Sequence, residues 1–331
     1  MCVTHIDDFL YCGTPQFHEE VIQKVKDRYV IGAEEDTAMT FTGWQLKQTV
    51  AGIELSQAAY TDSINLDKFK HFKGFTAKEE QQLSEDDQGM YRKMIGILNW
   101  LTNSSRPALA HACTLYSTYL GKATKAHGKA VFRILEKAKL EPETIFFSNL
   151  GHPKNWKLDI FTDAAMGKAG TVDTFIGDIA FLNGKNHRNV INWSSSRLDI
   201  PSPSILIGEA EAVNSAYGKV SYIRFILKEI LGHEPPATIF TDSKSLHAAV
   251  LSDNSIRNRR ISAAVATIRA IKLKENIALV WVKGLANAAD PLTKMNANPA
   301  NLKHLLRTGK TLECENAKVH EIDFVKLTFL G

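Results

Sequence analysis

Long apolar runs are missing from this 331-residue chain. Stretches such as Ile277–Val282 are about one strand long, far short of the ~20 residues a membrane helix needs, so no membrane span is expected. Cysteine is scarce: Cys2, Cys12, Cys113 and Cys314 stand far apart without metal-ligand spacing, which excludes a cysteine-built metal site and fits a reducing compartment. Asp7 and Asp8 fall where a signal peptide needs its apolar stretch, so an intracellular protein is expected and a secreted one is not. Internal repeats and low-complexity tracts are absent too, which leaves ordinary folded domains. Charge of one sign does not dominate, since the formal net charge is only +4.

What is present suits buried cores. With 44% hydrophobic and 23% charged residues, a chain of this length suggests two domains and room for a small third piece. Alternation of apolar and polar residues predicts a hairpin over 1–11, and 18–29 has helical spacing. Residues 39–48 and 53–56 read as two strands joined near Gly52. The acidic, glutamine-rich stretch 75–88 has little apolar content and reads as a mobile connector. Helical spacing returns at 91–101 and 127–140, predicting a small helical unit. Beyond Gly151, strands are expected at 156–162, 174–182 and 190–194, then a long helix at about 205–231 and a strand at 238–241 with a helix behind it. A helix near 261–274, a strand at 277–282 and a last helix from about Asn287 follow, an order that makes a mixed α/β sheet. Past residue 298 the pattern is helical and then strand-like at 324–330, with no function attached.

Four acids stand where a metal site can be assembled. Asp163 and Asp242 each end an apolar strand, Glu211 lies in the first turns of the long helix, and Asp290 follows the strand at 277–282. Two adjacent strand ends and a crossing helix would bring them together. Clustered carboxylates repel one another by several kcal/mol unless cations neutralise them. Oxygen ligands select hard ions, Mg²⁺ or Mn²⁺, and two such ions about 4 Å apart can drive in-line phosphodiester hydrolysis without a side-chain nucleophile. The competing reading is that Asp242 and Asp290 merely cap the helices after them.

In order along the chain, Phe161-Thr162-Asp163-Ala164, Ile191-Asn192-Trp193-Ser194-Ser195, Gly208-Glu209-Ala210-Glu211-Ala212, Thr241-Asp242-Ser243-Lys244-Ser245 and Ala289-Asp290-Pro291-Leu292-Thr293-Lys294 resemble the ribonuclease H domain of copia-type LTR retrotransposon Pol polyproteins. The resemblance implies a ribonuclease H-like mixed five-stranded sheet with helices. It implies an RNA/DNA hybrid as substrate and Asp163, Glu211, Asp242 and Asp290 as ligands of two Mg²⁺ or Mn²⁺ ions. Of the pair Glu209/Glu211, the register of the following residues favours Glu211. Two departures stand out. Trp281-Val282-Lys283-Gly284-Leu285 lacks the histidine that some ribonucleases H carry before the last aspartate, and Ala164-Ala165-Met166-Gly167 replaces the family's acidic and aromatic run.

Upstream, the paired Asp7-Asp8, the segments Phe41-Thr42-Gly43-Trp44 and Gly52–Tyr60, and Tyr91–Leu101 with Ser105-Arg106-Pro107 resemble the end of the same polyprotein's reverse transcriptase. The implied layout is a palm remnant at 1–66, a helical thumb or connection region at 67–152, the ribonuclease H-like domain at 153–297 and a tail at 298–331. A palm needs a further aspartate and nucleotide-holding fingers that this sequence does not carry, so no DNA polymerisation by this chain alone is expected.

Basic residues are unevenly placed. From Arg257 to Lys303 nine Lys/Arg meet two acids, a local net of +7, which suits a solvated helix face or a surface that meets phosphates. Arg257, Arg259, Arg260 and Lys283 are the candidates for gripping a nucleic-acid backbone. His5, His111, His187 and His247 are scattered, and the five tryptophans lie in patterns of core packing. The rival class is a retroelement-derived fragment that binds nucleic acid or protein without cutting. An integrase-like nuclease would need a three-acid pattern and a zinc unit, and neither is apparent. The expected location is the cytoplasm, a virus-like particle or the nucleus.

Overall fold

The computed structural model describes residues 2–6, 8–167, 173–184, 186–199, 202–252 and 258–310. At the start, β1 (Cys2–His5) and β2 (Asp8–Tyr11) form a two-stranded antiparallel hairpin turned at Ile6, whose φ is 52°. α1 (Pro15–Phe17) then runs through a π-helical turn at His18–Ile22 into α2 (Gln23–Arg28).

β3 (Ala38–Phe41), β4 (Trp44–Gln48) and β5 (Gly52–Ser56) form an antiparallel meander. The strand expected over 39–48 is therefore two. Thr42 and Gly43 both have positive φ, 50° and 80°, and fold the chain back between them. α3 (Ala58–Ser63) and a 3₁₀ segment at Leu66–Gly74 lead into the helical unit of α4 (Glu85–Ser104), α5 (Ala110–Ser117) and α6 (Lys125–Leu140). Its core joins Phe72, Tyr91, Met94, Leu98, Leu101, Val131 and Leu135.

The stretch expected to be a mobile connector is instead a packed strap. Leu83 is buried in that core, its N–H donates to the Ala123 carbonyl, and Gln81 and Glu79 carbonyls accept from Lys125 and Ala126. Acidic composition predicts solvation of side chains, but says nothing of the backbone, which here finds partners.

β6 (Thr144–Ser148) was not foreseen. It pairs antiparallel with β5, completing a four-stranded sheet β3-β4-β5-β6 that spans the expected boundary at residue 66.

The second sheet has five strands. β7 (Lys157–Met166), β8 (Thr174–Asn183) and β9 (Arg188–Arg197) run antiparallel. α7 (Ile205–Leu231) crosses to β10 (Ala237–Thr241), which pairs parallel with β7; α8 (Lys244–Leu251) and α9 (Arg259–Glu275) precede β11 (Ile277–Trp281), parallel to β10. The order β11-β10-β7-β8-β9 is the mixed five-stranded α/β sheet expected from the sequence. Leu158, Ile160 and Ile239 pack against Ala210, Val213, Tyr217 and Val220 of α7.

The helix expected from Asn287 is not there. Two 3₁₀ turns, Gly284–Ala286 and Asp290–Leu292, occupy that stretch, with Pro291 lacking the N–H a longer helix needs, and α10 (Ala300–Thr308) starts only after Pro299. The strand-like pattern at 324–330 lies outside the described residues.

The two sheets share a core. Leu55 and Ile145 meet Phe161, Ile179 and Phe181 together with Leu302, Leu305 and Leu306 of α10. The Trp193 indole N–H donates to the Thr102 carbonyl at 2.7 Å, and the Thr114 hydroxyl to Ser195 at 2.9 Å. No helix among the described residues is long and apolar enough to cross a membrane.

Candidate metal centre

Strand register builds the first half of the site. Parallel pairing sets Thr241 beside Thr162, so the next residues, Asp242 and Asp163, emerge level with each other. The helix brings the third carboxylate. Glu209 lies on the buried stripe of α7 with Ala210, Val213, Ala216 and Val220, so it points at the sheet. Gly208 permits that approach, since a Cβ there would stand 3.0 Å from Thr174 and 3.5 Å from Ala164. Asp163, Glu209 and Asp242 each offer an oxygen, all within 4.8 Å of one another.

Glu211, the residue favoured from the sequence, is exposed. Two residues turn an α-helix by about 200°, so only one of the two glutamates can face the strands, and it is Glu209. The expected ligand is thereby corrected by helix phase. Asp290 stays just outside the trio: it forms an ion pair with Lys294, whose ammonium also stands 3.2 Å from both oxygens of Asp163. The Thr293 hydroxyl donates to Asp163 Oδ2. Gly177, paired with Asp163 across the sheet, leaves space for this segment, because a Cβ there would sit 2.8 Å from Leu292 and 2.9 Å from Thr293.

The capping alternative does not hold for Asp242 or Asp290. Ser243 caps α8 through its hydroxyl, and Ala289 precedes the 3₁₀ turn that Asp290 begins. The Asp242 carbonyl accepts from the Trp281 indole at 3.0 Å, and Gly284 brings its backbone near the Asp242 carboxylate. Asn287, buried, donates to the Thr162 carbonyl at 2.9 Å and ties this loop to β7.

Electrostatics match a cation site. Burial pushes the Glu209 carboxyl up to about 9, with Asp163 and Asp242 adding to the shift. Burial likewise raises Asp163 to about 6, against the pull of Lys294 and the Thr293 hydrogen bond. For Lys294 burial disfavours the charge, but Asp163 and Asp290 outweigh it and its pKa rises. Glu209 Oε2 is buried and has no hydrogen-bond partner among the described residues. An all-oxygen trio with one orphaned oxygen fits a hard divalent ion, which would relieve both the repulsion and the missing bond.

Among the other expected site residues, Asp8 is exposed on the N-terminal hairpin, while Asp7 and Arg257 lie outside the described residues. Arg259 and Arg260 are exposed in the first turn of α9, and Lys283 is exposed in the loop beside Asp242. Sequence reasoning did not assign roles to Thr293 and Lys294, although the four-residue spacing from Asp290 to Lys294 was a usable sign of an ion pair.

No family model matches the chain. Its homologues are retrotransposon Pol polyproteins. It is 25% identical over 312 residues, 88% of its length, to the retrovirus-related Pol polyprotein from transposon RE2 of Arabidopsis thaliana. It is 21% identical over 225 residues, 66% of its length, to the Ty1-JR2 Gag-Pol polyprotein of Saccharomyces cerevisiae. Both are copia-like elements, the kind the motifs resemble. The chain spans 20% and 13% of these relatives' lengths. Among solved structures, the RNase H1 called LC11, isolated from compost and crystallised with an RNA/DNA hybrid, is 19% identical over 41% of this chain and 93% of its own, with a TM-score of 0.33. The prototype foamy virus protease-reverse transcriptase is 18% identical over 53% of this chain and 27% of its own, at 0.28.

Proposed function

We propose that the five-stranded unit is a divalent-metal-dependent ribonuclease H that cuts the RNA strand of RNA/DNA hybrids within a retrotransposon Pol polyprotein. The observation that carries this is the meeting of Asp163 from within β7, Asp242 from the end of β10 and Glu209 from α7, with a buried oxygen of Glu209 unpartnered among the described residues. Bound Mg²⁺ or Mn²⁺ would supply Lewis-acid stabilisation of the charge that develops during phosphodiester hydrolysis. The three carboxylates would hold the ion in place, and Thr293 and Lys294 fix the orientation of Asp163. Exposed Lys283, Arg259 and Arg260 present cations for the hybrid's phosphates, and among the described residues none of them forms an ion pair. Residues 1–66 and 67–152 are read as the end of a reverse-transcriptase palm and its thumb or connection.

A second reading, a fragment that binds hybrid without cutting it, draws on the position of Asp290, which pairs with Lys294 and stands outside the trio. One assay separates the two. With Mg²⁺, wild-type protein is expected to cut the RNA of a labelled hybrid. Asp242→Asn is expected to lose more than about a hundredfold in rate, the upper end of what loss of even an indirect metal partner costs. Hybrid that is bound but uncut by folded wild type at every Mg²⁺ and Mn²⁺ concentration decides for the second reading.

A further inference from the structure

We propose that Lys294 is a resident cation of this centre, standing between Asp163 and Asp290 where a second divalent ion would otherwise lie, so that the protein without substrate takes up one divalent ion and not two. The inference rests on the metal-site reading above and concerns how many ions the site holds.

Asp163 has two sets of partners. Towards Glu209 and Asp242 it completes a trio of oxygens within 4.8 Å. It also meets the Lys294 ammonium, which stands 3.2 Å from each of its oxygens and reaches the Asp290 carboxylate as well. Lys294 thus bridges the one carboxylate shared by both halves and the one carboxylate left out of the trio. A further cation drawn to these two carboxylates would meet the ammonium already between them.

The lysine is not a loose surface side chain that happens to lie near. Its backbone is fixed by the 3₁₀ turn at Asp290–Leu292, by the Thr293 hydroxyl on Asp163 and by the seating of Leu292 and Thr293 over Gly177. Charge balance points the same way. Four carboxylates against Lys294 and one divalent ion leave one negative charge, while a second ion alongside the ammonium turns the balance positive and sets like charges within a few ångströms of one another. A second ion therefore has to displace the lysine.

The test counts ions directly. Full-length wild type, Lys294→Arg and Lys294→Met are titrated with Mn²⁺ by calorimetry, with the free ion followed by electron paramagnetic resonance. Wild type and Lys294→Arg are expected to bind one ion, and Lys294→Met two, its second site at least about tenfold tighter than any second site in wild type. Two ions of similar affinity in wild type would overturn the lysine's role and leave the metal site standing. No Mn²⁺ bound by folded wild type would instead sink the metal-site reading itself. Should Lys294→Met lose its circular-dichroism signature of folding, the count in wild type and Lys294→Arg decides: one ion in each supports the proposal, two in either overturns it.

Discussion

Two acidic sites in this chain were picked out by the same kind of motif, and the fold treats them differently. Asp8 sits on a two-stranded hairpin whose residues are largely exposed, including Val3, Ile6 and Phe9. Asp163 lies within β7 and Asp242 directly follows β10, its neighbour in a five-stranded sheet whose interior is closed by α7. A carboxylate in water costs nothing to ionise and is shared with solvent. One held in a protein interior needs a cation, and that need is what makes it a candidate for chemistry.

The contrast can be broken most sharply at α7. Glu209→Gln is expected to lower hybrid cleavage by more than about a hundredfold, whereas Glu211→Gln changes it less than about twofold, as for a site away from any functional feature. Equal losses from the two would mean that the helix is rotated in solution. Stability offers a second comparison with one residue type. Phe181→Ala empties a fully buried position in the shared core and is expected to cost about 3–5 kcal/mol, read from urea denaturation. Phe9→Ala, half exposed on the hairpin, is expected to cost less than about 0.5 kcal/mol.

A pH dependence supplies a further comparison. Because the folded state raises Glu209 from 4.5 to about 9, the native protein keeps a proton that the unfolded chain releases across that window. With metal chelated, stability should therefore fall as pH climbs from about 4.5 towards 9, since the native state binds more protons than the unfolded one. Glu209→Gln should flatten that decline, and Mg²⁺ should offset it. A melting temperature that rises over this interval in chelator would contradict the burial argument.

Much of the second sheet was legible because its strands are apolar runs and its long helix carries an unbroken 3.6-residue stripe from Ile207 to Leu227. Asp163 and Asp242 were legible for the same reason, being the first charged residues after Ile160-Phe161 and Ile239-Phe240. The choice between Glu209 and Glu211 was not. Both lie within one turn, and only the seating of Gly208 against Thr174 and Ala164 fixes the phase. β6 was missed although Ile145-Phe146-Phe147 carries a strand signal, because its partner β5 lies some ninety residues earlier and pairing over that distance leaves no local trace. The segment around Asp290 misled because Ala288, Ala289 and Leu292 have helical spacing, while Pro291 and contacts with Gly177 decide the backbone.

The C-terminal helix has a practical consequence. α10 lays Leu302, Leu305 and Leu306 against Ile145 of β6, and the chain behind it returns to the Arg188 N–H through the carbonyl of Gly309, a residue with φ of 69°. The five-stranded sheet is thus clasped from behind by pieces that a cut at residues 153 and 297 would remove. Expression of a minimal unit carrying the five-stranded sheet should start before Thr144 and run through Lys310. A shorter piece would bare the underside of the sheet to solvent and precipitate for reasons unrelated to its chemistry.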